Sequence, residues 1–346
     1  MASQIKVGVD IGFSSIKIVI LSGNQKPPKL ISIGHVASPQ PGILSEADLD
    51  LEAVATAIKN LMNEVKAPSR EVSVALPESK IFTRVISDLP YLSDEELSQA
   101  IRYAAEEFVP MPIKDVNLNY QVIYRSPQKG PQSRTVVLVV ASPKLLVDKY
   151  LKILQMADLK PLVVETELIA SARSLVTANP YSPATLLVQL GGFNTDYAVV
   201  NDGLILLTRS IATGGIALTR SIAQNFNFEL SQAEEYKKVY GVLEDQLEGK
   251  LFQTIKPIVD VILNEAKRVI QSYELYNKQK PIKRVVLTGG GAKLPGLVRY
   301  FANNLELEVQ EADPWFSINV DPSLKSKLIQ EGPSYSVATG LALRDI

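Results

Sequence analysis

The chain has 346 residues, of which 46% are hydrophobic, and its 36 Lys and Arg nearly balance its 37 Asp and Glu. This indicates a globular protein of two or three core-sized units, and it argues against a chain built mainly to bind nucleic acid or acidic lipid. The absence of cysteine excludes disulfides, thiol catalysis and Cys-ligated metals, and the single histidine, His35, argues against His-rich metal sites and histidine-based serine triads.

The start of the chain favours a cytoplasmic location. A strand is predicted to begin within the first few residues, which leaves no room for a signal peptide. The longest apolar run, Thr135–Ala141, is much shorter than the roughly 20 residues that a membrane helix needs. We therefore expect a cytoplasmic protein that does not insert into a membrane.

A strand–loop–strand unit occurs twice, as KVGVDIGFSSIKIVIL (Lys6–Leu21) and LLVQLGGFNTDYAVV (Leu186–Val200). Each copy alternates apolar residues with others, turns at glycine beside small polar side chains, and alternates again, as β-hairpins do. A third strand, a helix and another strand follow each copy. These are Lys29–His35, Leu49–Val65 and Glu71–Leu76 in the first half, and Leu204–Ile211, Ala217–Asn225 and Arg284–Thr288 in the second. The pattern predicts a duplicated α/β fold, not a solenoid.

The first half is followed by a segment of different character. Glu71–Asp88 reads as a strand pair broken at Pro77, and Ser93 and Glu96 have the spacing of a capping box at a helix start. The strands Asn119–Arg125 and Thr135–Ala141, joined by the polar loop Ser126–Ser133, and the helix Pro143–Met156 come next. We expect an inserted βαββα subdomain whose two helices cover one face of its sheet.

Further helices are predicted on both sides of the second hairpin. One runs from Glu167 to about Thr177, and the Pro-rich stretch Asn179–Pro183 reads as a hinge. Two more, Ser231–Tyr240 and Thr254–Lys280, follow the hairpin, and the second carries an apolar stripe at helical spacing.

The loops of the two hairpins could bind phosphate from opposite sides. In the first, Gly12 allows close backbone approach, Ser14 and Ser15 can donate hydrogen bonds, Lys17 adds a cation, and Asp10 could face a phosphate-bound metal. An ordinary hairpin turn with a solvated carboxylate is the alternative. The second loop, Gly191–Thr195, has Gln189 where the first has Asp10. Glutamine is neutral and cannot act as a general base, so phosphate binding survives this change more easily than hydrolysis does.

Other candidate ligand contacts lie further along the second half. In VVLTGGGAKLPG (Val285–Gly296), glycines between a strand and a helix could let a flat ring lie on the backbone, although a structural turn is the alternative. This segment matches neither a Walker loop nor a dinucleotide fingerprint. Thr213–Gly215 could supply amides at a helix start. Glu234 and Lys237 lie one helical turn apart and could reach a ribose, but Ser231 and Glu234 also have capping-box spacing.

These elements in this order resemble the actin-like ATPase superfamily and, within it, the PilM family of type IV pilus assembly proteins, which is related to the division protein FtsA. The resemblance spans almost the whole chain. It is most specific in the inserted segment Leu76–Tyr124, LPESKIFTRVISDLPYLSDEELSQAIRYAAEEFVPMPIKDVNLNYQVIY, and continues in VVETELIASARSL, LTRSIA, AEEYK and GLALR.

The resemblance implies an actin-like two-lobe fold with an inserted subdomain of the FtsA and PilM type. The implied units are 1–80 with 157–180 (IA), 81–156 (IC), 181–220 with 283–346 (IIA), and 221–282 (IIB). It also implies ATP and Mg²⁺ as ligands. Asp10 and Glu167 are the catalytic candidates, and Asp10 is the candidate metal ligand, through water. The implied nucleotide contacts are Asp10, Gly12, Phe13, Ser14, Ser15 and Lys17 in the first loop, Gly191, Gly192, Asn194 and Thr195 in the second, and Gly214, Gly215, Glu234, Lys237, Gly289, Gly290, Gly291, Ala292 and Leu294 elsewhere.

The expected partner is the cytoplasmic N-terminal segment of a PilN-like inner-membrane protein, docked in a groove beside the inserted subdomain. Other pilus platform and motor components are further candidates, and the protein is expected at the inner face of the membrane through its partner. The leading hypothesis is an ATP-regulated adaptor with at most slow ATPase activity. The alternatives are a small-molecule kinase or ATPase of the same fold and an FtsA-like cytoskeletal protein, although FtsA has a C-terminal membrane tail whereas this chain ends at Arg344-Asp345-Ile346.

Overall fold

Three β-sheets organise the part of the chain that the computed structural model describes, which is residues 5–23, 25–127, 130, 133–176 and 183–344. The strands are β1 (Ile5–Ile11), β2 (Ser15–Ser22), β3 (Lys29–Ala37), β4 (Glu71–Leu76), β5 (Phe82–Pro90), β6 (Val116–Arg125), β7 (Arg134–Pro143), β8 (Lys160–Thr166), β9 (Ala184–Leu190), β10 (Thr195–Asn201), β11 (Leu204–Ile211), β12 (Ile282–Thr288) and β13 (Glu308–Glu311). The α-helices are α1 (Asp48–Glu64), α2 (Asp94–Glu106), α3 (Lys144–Met156), α4 (Glu167–Leu175), α5 (Gly215–Phe226), α6 (Leu230–Tyr240), α7 (Lys250–Glu274), α8 (Leu297–Leu305) and α9 (Lys325–Ala342).

Two of the sheets repeat one topology. The first sheet has the order β3-β2-β1-β4-β8 and the second has the order β11-β10-β9-β12-β13. In each, the first three strands of the order are antiparallel neighbours, and the last two run parallel to the central strand. The equivalent positions of β1 and β9, and of β2 and β10, confirm the predicted duplicated α/β fold. We refer to each sheet with its helices as a lobe.

The inserted sheet, of order β5-β7-β6, differs from expectation in its packing. The predicted capping box of Ser93 and Glu96 is present, and α2 covers one face of the sheet. The expectation that α3 covers the same sheet is wrong, because its buried side chains join the core of the first lobe. The opposite face of the inserted sheet packs through Leu138 against the second lobe, which leaves no place there for α3.

The remaining helices agree with the sequence apart from their ends. Helix α7 starts four residues earlier than expected because Leu251 and Phe252 extend its buried stripe, and it ends at Glu274. Helix α4 ends at Leu175, and the predicted hinge Asn179–Pro183 falls largely on residues 177–182, outside the described part of the chain. None of the helices in the described ranges combines the length and apolar character that crossing a bilayer requires.

Helices α4 and α9 cross beneath the space between the two lobes. Helix α4 follows β8 of the first sheet, but its Leu168 packs on the second sheet. Helix α9 comes from the second half, but its Ala338 packs on the first sheet. The helices touch at Gly340, where an added Cβ would lie 1.8 Å from the carbonyl oxygen of Ala170. This contact therefore sets the spacing of the two sheets.

The inserted sheet reaches both lobes at Glu78. This residue lies in the short 3₁₀ helix Glu78–Lys80, between β4 and β5, and is only 4% exposed. Burial, together with the nearby Asp196 of β10, raises the pKa of Glu78 to about 7, while the hydroxyls of Thr166, Thr83 and Thr208 partly offset the rise. These groups come from the inserted sheet and from both lobes, so Glu78 lies where all three units meet.

A methyl group at Gly340 tests the helix crossing. Although replacing a helical glycine with alanine normally favours the helix, Gly340→Ala is expected to lower the free energy of unfolding by about 3 kcal/mol, because the new Cβ collides with a backbone carbonyl. Urea denaturation of both proteins measures the difference. Gly130→Ala is the matched control, since no atom of the described residues lies within 4 Å of its Cβ position. Equal stability of the two variants would contradict the assignment of this contact.

Glu78 predicts a specific dependence of stability on pH. Because its pKa is raised from 4.5 in the unfolded chain to about 7 in the folded one, the folded state holds the proton more tightly. The stability that this proton contributes is fully present below about pH 4.5 and is lost as the pH rises to about 7. Glu78→Gln cannot ionise, so its stability relative to the wild type should improve by about 3 kcal/mol between pH 4.5 and pH 8.

Urea midpoints measured across this pH range test the prediction. Glu64→Gln is the control, because Glu64 is exposed at the end of α1. Parallel pH profiles of stability for Glu78→Gln and the wild type would show that the pKa of Glu78 is not raised in the folded protein.

Candidate nucleotide-binding site

The two hairpin loops face each other across one cleft of about 1830 Å³. An added Cβ on Gly192 would lie 2.4 Å from Ser14 Oγ of the first loop. The rings of Phe13 and Phe193 meet edge to face, with their centroids 4.8 Å apart. The loops are therefore close enough to contact a single ligand from both lobes.

The first loop joins β1 to β2 and places opposite charges side by side. Asp10 and Lys17 are cross-strand partners, and Lys17 Nζ lies 3.4 Å from Asp10 Oδ2. The end of β3 holds the loop backbone, since Ser38 Oγ donates to the carbonyl of Gly12 at 2.6 Å and Gln40 Nε2 donates to that of Phe13 at 3.0 Å. These anchors restrict the loop before any ligand arrives.

The second loop, between β9 and β10, is held by the start of α5. The carbonyls of Gly191 and Gly192 accept hydrogen bonds from the amides of Gly215 and Ile216, each at 2.9 Å. The amide of Gly215 is thus already engaged, which argues against the expected phosphate contact through it. Gly214 is needed for close packing, because a Cβ there would lie 2.7 Å from the carbonyl oxygens of the loop.

Behind the loops, Gln189 of β9 joins the second sheet to α4. Its Nε2 donates to Glu167 Oε2 at 2.8 Å, and its Oε1 accepts from Ser171 Oγ at 2.7 Å. Burial, followed by the charge of Asp10, raises the pKa of Glu167 well above its usual range. Glu167 is thus held by Gln189, a neutral side chain that cannot itself act as a general base.

The counterpart of Lys17 in the second hairpin is an acid. Asp196 pairs with Gln189 across β9 and β10 as Lys17 pairs with Asp10 across β1 and β2. Burial raises the pKa of Asp196 to about 6. The first loop therefore presents a carboxylate and an ammonium group at its base, whereas the second presents an amide and a carboxyl group.

Glu234 and Lys237 of α6 form a network with α5. Lys237 Nζ donates to Glu234 Oε2 at 2.6 Å and to Thr219 Oγ1 at 2.9 Å. Although burial alone would raise it, the bond from Lys237 lowers the pKa of Glu234, which stays charged. The capping-box alternative is wrong, because α6 begins at Leu230 with Glu229 at its N-cap. Both side chains line the cleft, and their contact with ribose stays a prediction.

The glycine loop after β12 forms another wall of the cleft. Gly289 has a positive φ of 82°, its amide donates to the carbonyl of Pro333 at 2.8 Å, and a Cβ would lie 2.5 Å from the oxygen of Leu190. Gly290 faces open space, with no atom of the described residues within 4 Å of its Cβ position. The loop is thus fixed against β9 and leaves the backbone exposed at Gly290.

Most of the predicted residues reach the cleft, but three do not line it. Thr195 is buried and donates to the carbonyl of Thr213 at 2.7 Å, Gly214 supports the second loop, and Ala292 lies in the core of the second lobe. Those that line the cleft are Asp10, Gly12, Phe13, Ser14, Ser15, Lys17, Glu167, Gly191, Gly192, Asn194, Gly215, Glu234, Lys237, Gly289, Gly290, Gly291 and Leu294.

Several residues of the cleft were not predicted from the sequence, among them Ser38, Ser79 and Asp196. Asp196 could have been found from the repeat, because it occupies the hairpin position of Lys17. Ser38 and Ser79 lie in connections whose approach to the loops has no local sequence signal.

Comparisons with known proteins agree on one family. A family model described as type IV pilus assembly protein PilM matches residues 8–346. A chain of a solved PilM–PilN type IV pilus biogenesis complex is 30% identical, with 98% of each chain covered and a TM-score of 0.84.

More distant similarities extend to other members of the fold. The cell division protein FtsA of Enterococcus hirae is 23% identical over 88% of this chain and 78% of its own. The fold of MreB5 of Spiroplasma citri, solved with AMPPNP, is also similar, with a TM-score of 0.56 at 14% identity over 98% of this chain and 95% of that one. The predicted actin-like fold is confirmed, and the chain belongs to the PilM family of type IV pilus assembly proteins.

Proposed function

We propose that this protein is a cytoplasmic, ATP-binding adaptor of the type IV pilus assembly platform. It binds MgATP between its lobes and docks the cytoplasmic N-terminal segment of a PilN-like inner-membrane protein, which holds it at the inner face of the membrane. The proposal of nucleotide binding rests on one observation, that two glycine loops, one from each lobe, meet across one cleft.

The chemistry of the cleft suits a polyphosphate. Ser14 and Ser15 offer hydroxyl donors, Lys17 offers a cation, and the loops offer main-chain amides. MreB5, whose fold is similar, was solved with AMPPNP, which supports a nucleotide as the ligand. Gly290 and its neighbours would face the adenine, and Glu234 and Lys237 would face the ribose.

The carboxyl groups suit Mg²⁺ that arrives with the phosphates. Asp10 is 6% exposed, and its charge contributes to the raised pKa of Glu167, so the two carboxyl groups lie close together beside the first loop. Within the described residues, no three acidic or histidine side chains converge to hold a metal ion. Phosphate oxygens and water would therefore complete the octahedral oxygen shell that Mg²⁺ requires, with Asp10 acting through water.

We expect slow ATP hydrolysis at most, because of the residues that lie behind the proposed phosphate position. Glu167 is the candidate base, but burial raises its pKa, and Gln189 donates a hydrogen bond to one of its oxygens. Gln189 itself cannot accept a proton from water or from an acceptor hydroxyl. The family match favours the pilus adaptor over both the kinase alternative and an FtsA-like protein.

The partner groove is proposed to be the part of the cleft between α3 and the first lobe. Its apolar lining includes Leu44, Phe82 and Leu145, and Leu145 is 84% exposed. Ion pairs of Lys149 with Glu46 and of Lys152 with Asp48 bridge its sides. An apolar floor with charged edges suits a short amphipathic peptide. The solved PilM–PilN complex supports this choice of partner.

Filling the space above Gly290 should abolish nucleotide binding without disturbing the fold. MgATP bound only by the folded state should raise the thermal midpoint of the wild type by a few degrees. Gly290→Val should lose this rise, because its side chain would occupy the proposed adenine position. Differential scanning fluorimetry with and without MgATP measures both. Gly130→Val, on an open surface, should respond like the wild type. A full response from Gly290→Val would place the nucleotide elsewhere.

A charge in the groove should weaken partner binding. Leu145→Asp should reduce the affinity for a synthetic peptide of the PilN-like N-terminal segment by about tenfold, because it replaces an apolar contact with a desolvated carboxylate. Fluorescence anisotropy of the labelled peptide measures the affinity. Leu275→Asp changes a similarly exposed leucine outside the groove and should have no effect. Unchanged affinity in Leu145→Asp would exclude this groove as the docking site.

A further inference from the structure

The connection between β4 and β5 is short and internally hydrogen-bonded. The amide of Lys80 donates to the carbonyl of Pro77 at 3.1 Å, and that of Ile81 donates to the carbonyl of Glu78 at 3.0 Å. The resulting 3₁₀ helix, Glu78–Lys80, joins the first sheet directly to the edge strand of the inserted sheet. A displacement of this helix is therefore expected to move β5 as well.

The same helix touches the second phosphate loop. Asn194 Nδ2 donates to Ser79 Oγ at 2.8 Å, and both residues line the cleft. The side chain of Ser79 thus links a loop of the second lobe to the start of the inserted sheet. A shift of Asn194 toward a bound phosphate would pull on Ser79 or break this bond.

The neighbouring Glu78, where the inserted sheet meets both lobes, does not have all of its hydrogen bonds. Its Oε1 accepts from Thr83 Oγ1 at 3.3 Å, whereas its Oε2 has no hydrogen-bond partner among the residues that the structure describes. The charged groups around it are Asp196 of β10 and Glu167 of α4, with Arg84 and Arg209 on the wall of the adjoining cavity. A buried carboxyl with one unpaired oxygen contributes little to holding a single arrangement.

The inserted sheet also has room to move at this point. A cavity of about 280 Å³ lies between it and β11, with Phe82 and Phe108 on one side and Thr208 and Ser210 on the other. Close-packed interfaces resist displacement, and the cavity leaves the part of this interface beside Phe82 unfilled. Phe82, the first residue of β5, also lines the proposed partner groove.

We propose that the Asn194–Ser79 hydrogen bond couples the phosphate loops to the inserted sheet. Binding of nucleotide to the loops then changes the position of β5 and with it the shape of the partner groove. This inference rests on the proposed function and identifies the physical route of its regulation. Coupling of this kind requires that MgATP bind unequally to two positions of the sheet. The route consists of one hydrogen bond, one short helix and one strand.

Hydrogen–deuterium exchange with and without MgATP tests the route in the full chain. In the wild type, MgATP should slow exchange in both phosphate loops and also change exchange in β5 and β7. Ser79→Ala removes the link, so the loops should still be protected while the response of β5 and β7 falls to less than half. Ser87→Ala, a surface serine on the same strand whose hydroxyl bonds only to Asp88 within the described structure, should behave like the wild type.

Two results would overturn the proposal while leaving nucleotide binding intact. One is an inserted sheet in Ser79→Ala that responds to MgATP as in the wild type. The other is a wild type whose loops are protected while β5 and β7 are unchanged. Failure of the proposed function looks different, since the loops of the wild type would then show no protection at all.

Discussion

The close crossing of α4 and α9 is the constraint on which the site depends. Each helix starts from one lobe and packs on the sheet of the other, so their contact at Gly340 and Ala170 controls the distance between the sheets. Glu165 strengthens the crossing by accepting two hydrogen bonds from Arg173, at 2.6 and 2.7 Å, and another from Arg344 at the end of α9. With the sheets held at this spacing, the loops at their edges meet.

The two loops are alike in backbone and different in charge. Duplication placed Gln189 where the first half has Asp10 and Asp196 where it has Lys17. The first loop can therefore balance a metal and a phosphate, whereas the second adds donors and a carboxyl group with a raised pKa. This asymmetry places a neutral amide, Gln189, against Glu167, the candidate base, whose pKa is raised by burial.

The cleft and the groove are continuous, and this gives the adaptor hypothesis a physical basis. One cavity runs from the glycine loops past Ser79 to Phe82 and Leu145. Ligands at its two ends therefore share a wall made by the start of the inserted sheet. The position of the inserted sheet depends on both lobes. The chain connects it to the first lobe, and Leu138 packs against the second lobe.

Local patterns predicted the parts of the structure that local forces determine. The hairpins, the capping box at Ser93 and the apolar stripe of α7 all follow from spacing along the chain. The docking of α3 did not follow, because an apolar stripe does not specify which sheet it covers. Glu78 was overlooked because a Pro-Glu-Ser-Lys turn resembles an exposed loop, whereas contacts with Thr83 and Asp196 bury it. The bond between Gln189 and Glu167 joins residues from different lobes, so no pattern of neighbouring residues indicates it.

A crystal structure of the protein with MgATP tests the central claim most directly. The account predicts one triphosphate between Gly12–Ser15 and Gly191–Asn194, contacted by both loops, with the adenine against Gly290. Nucleotide bound to one loop alone, or in a different cavity, would contradict it.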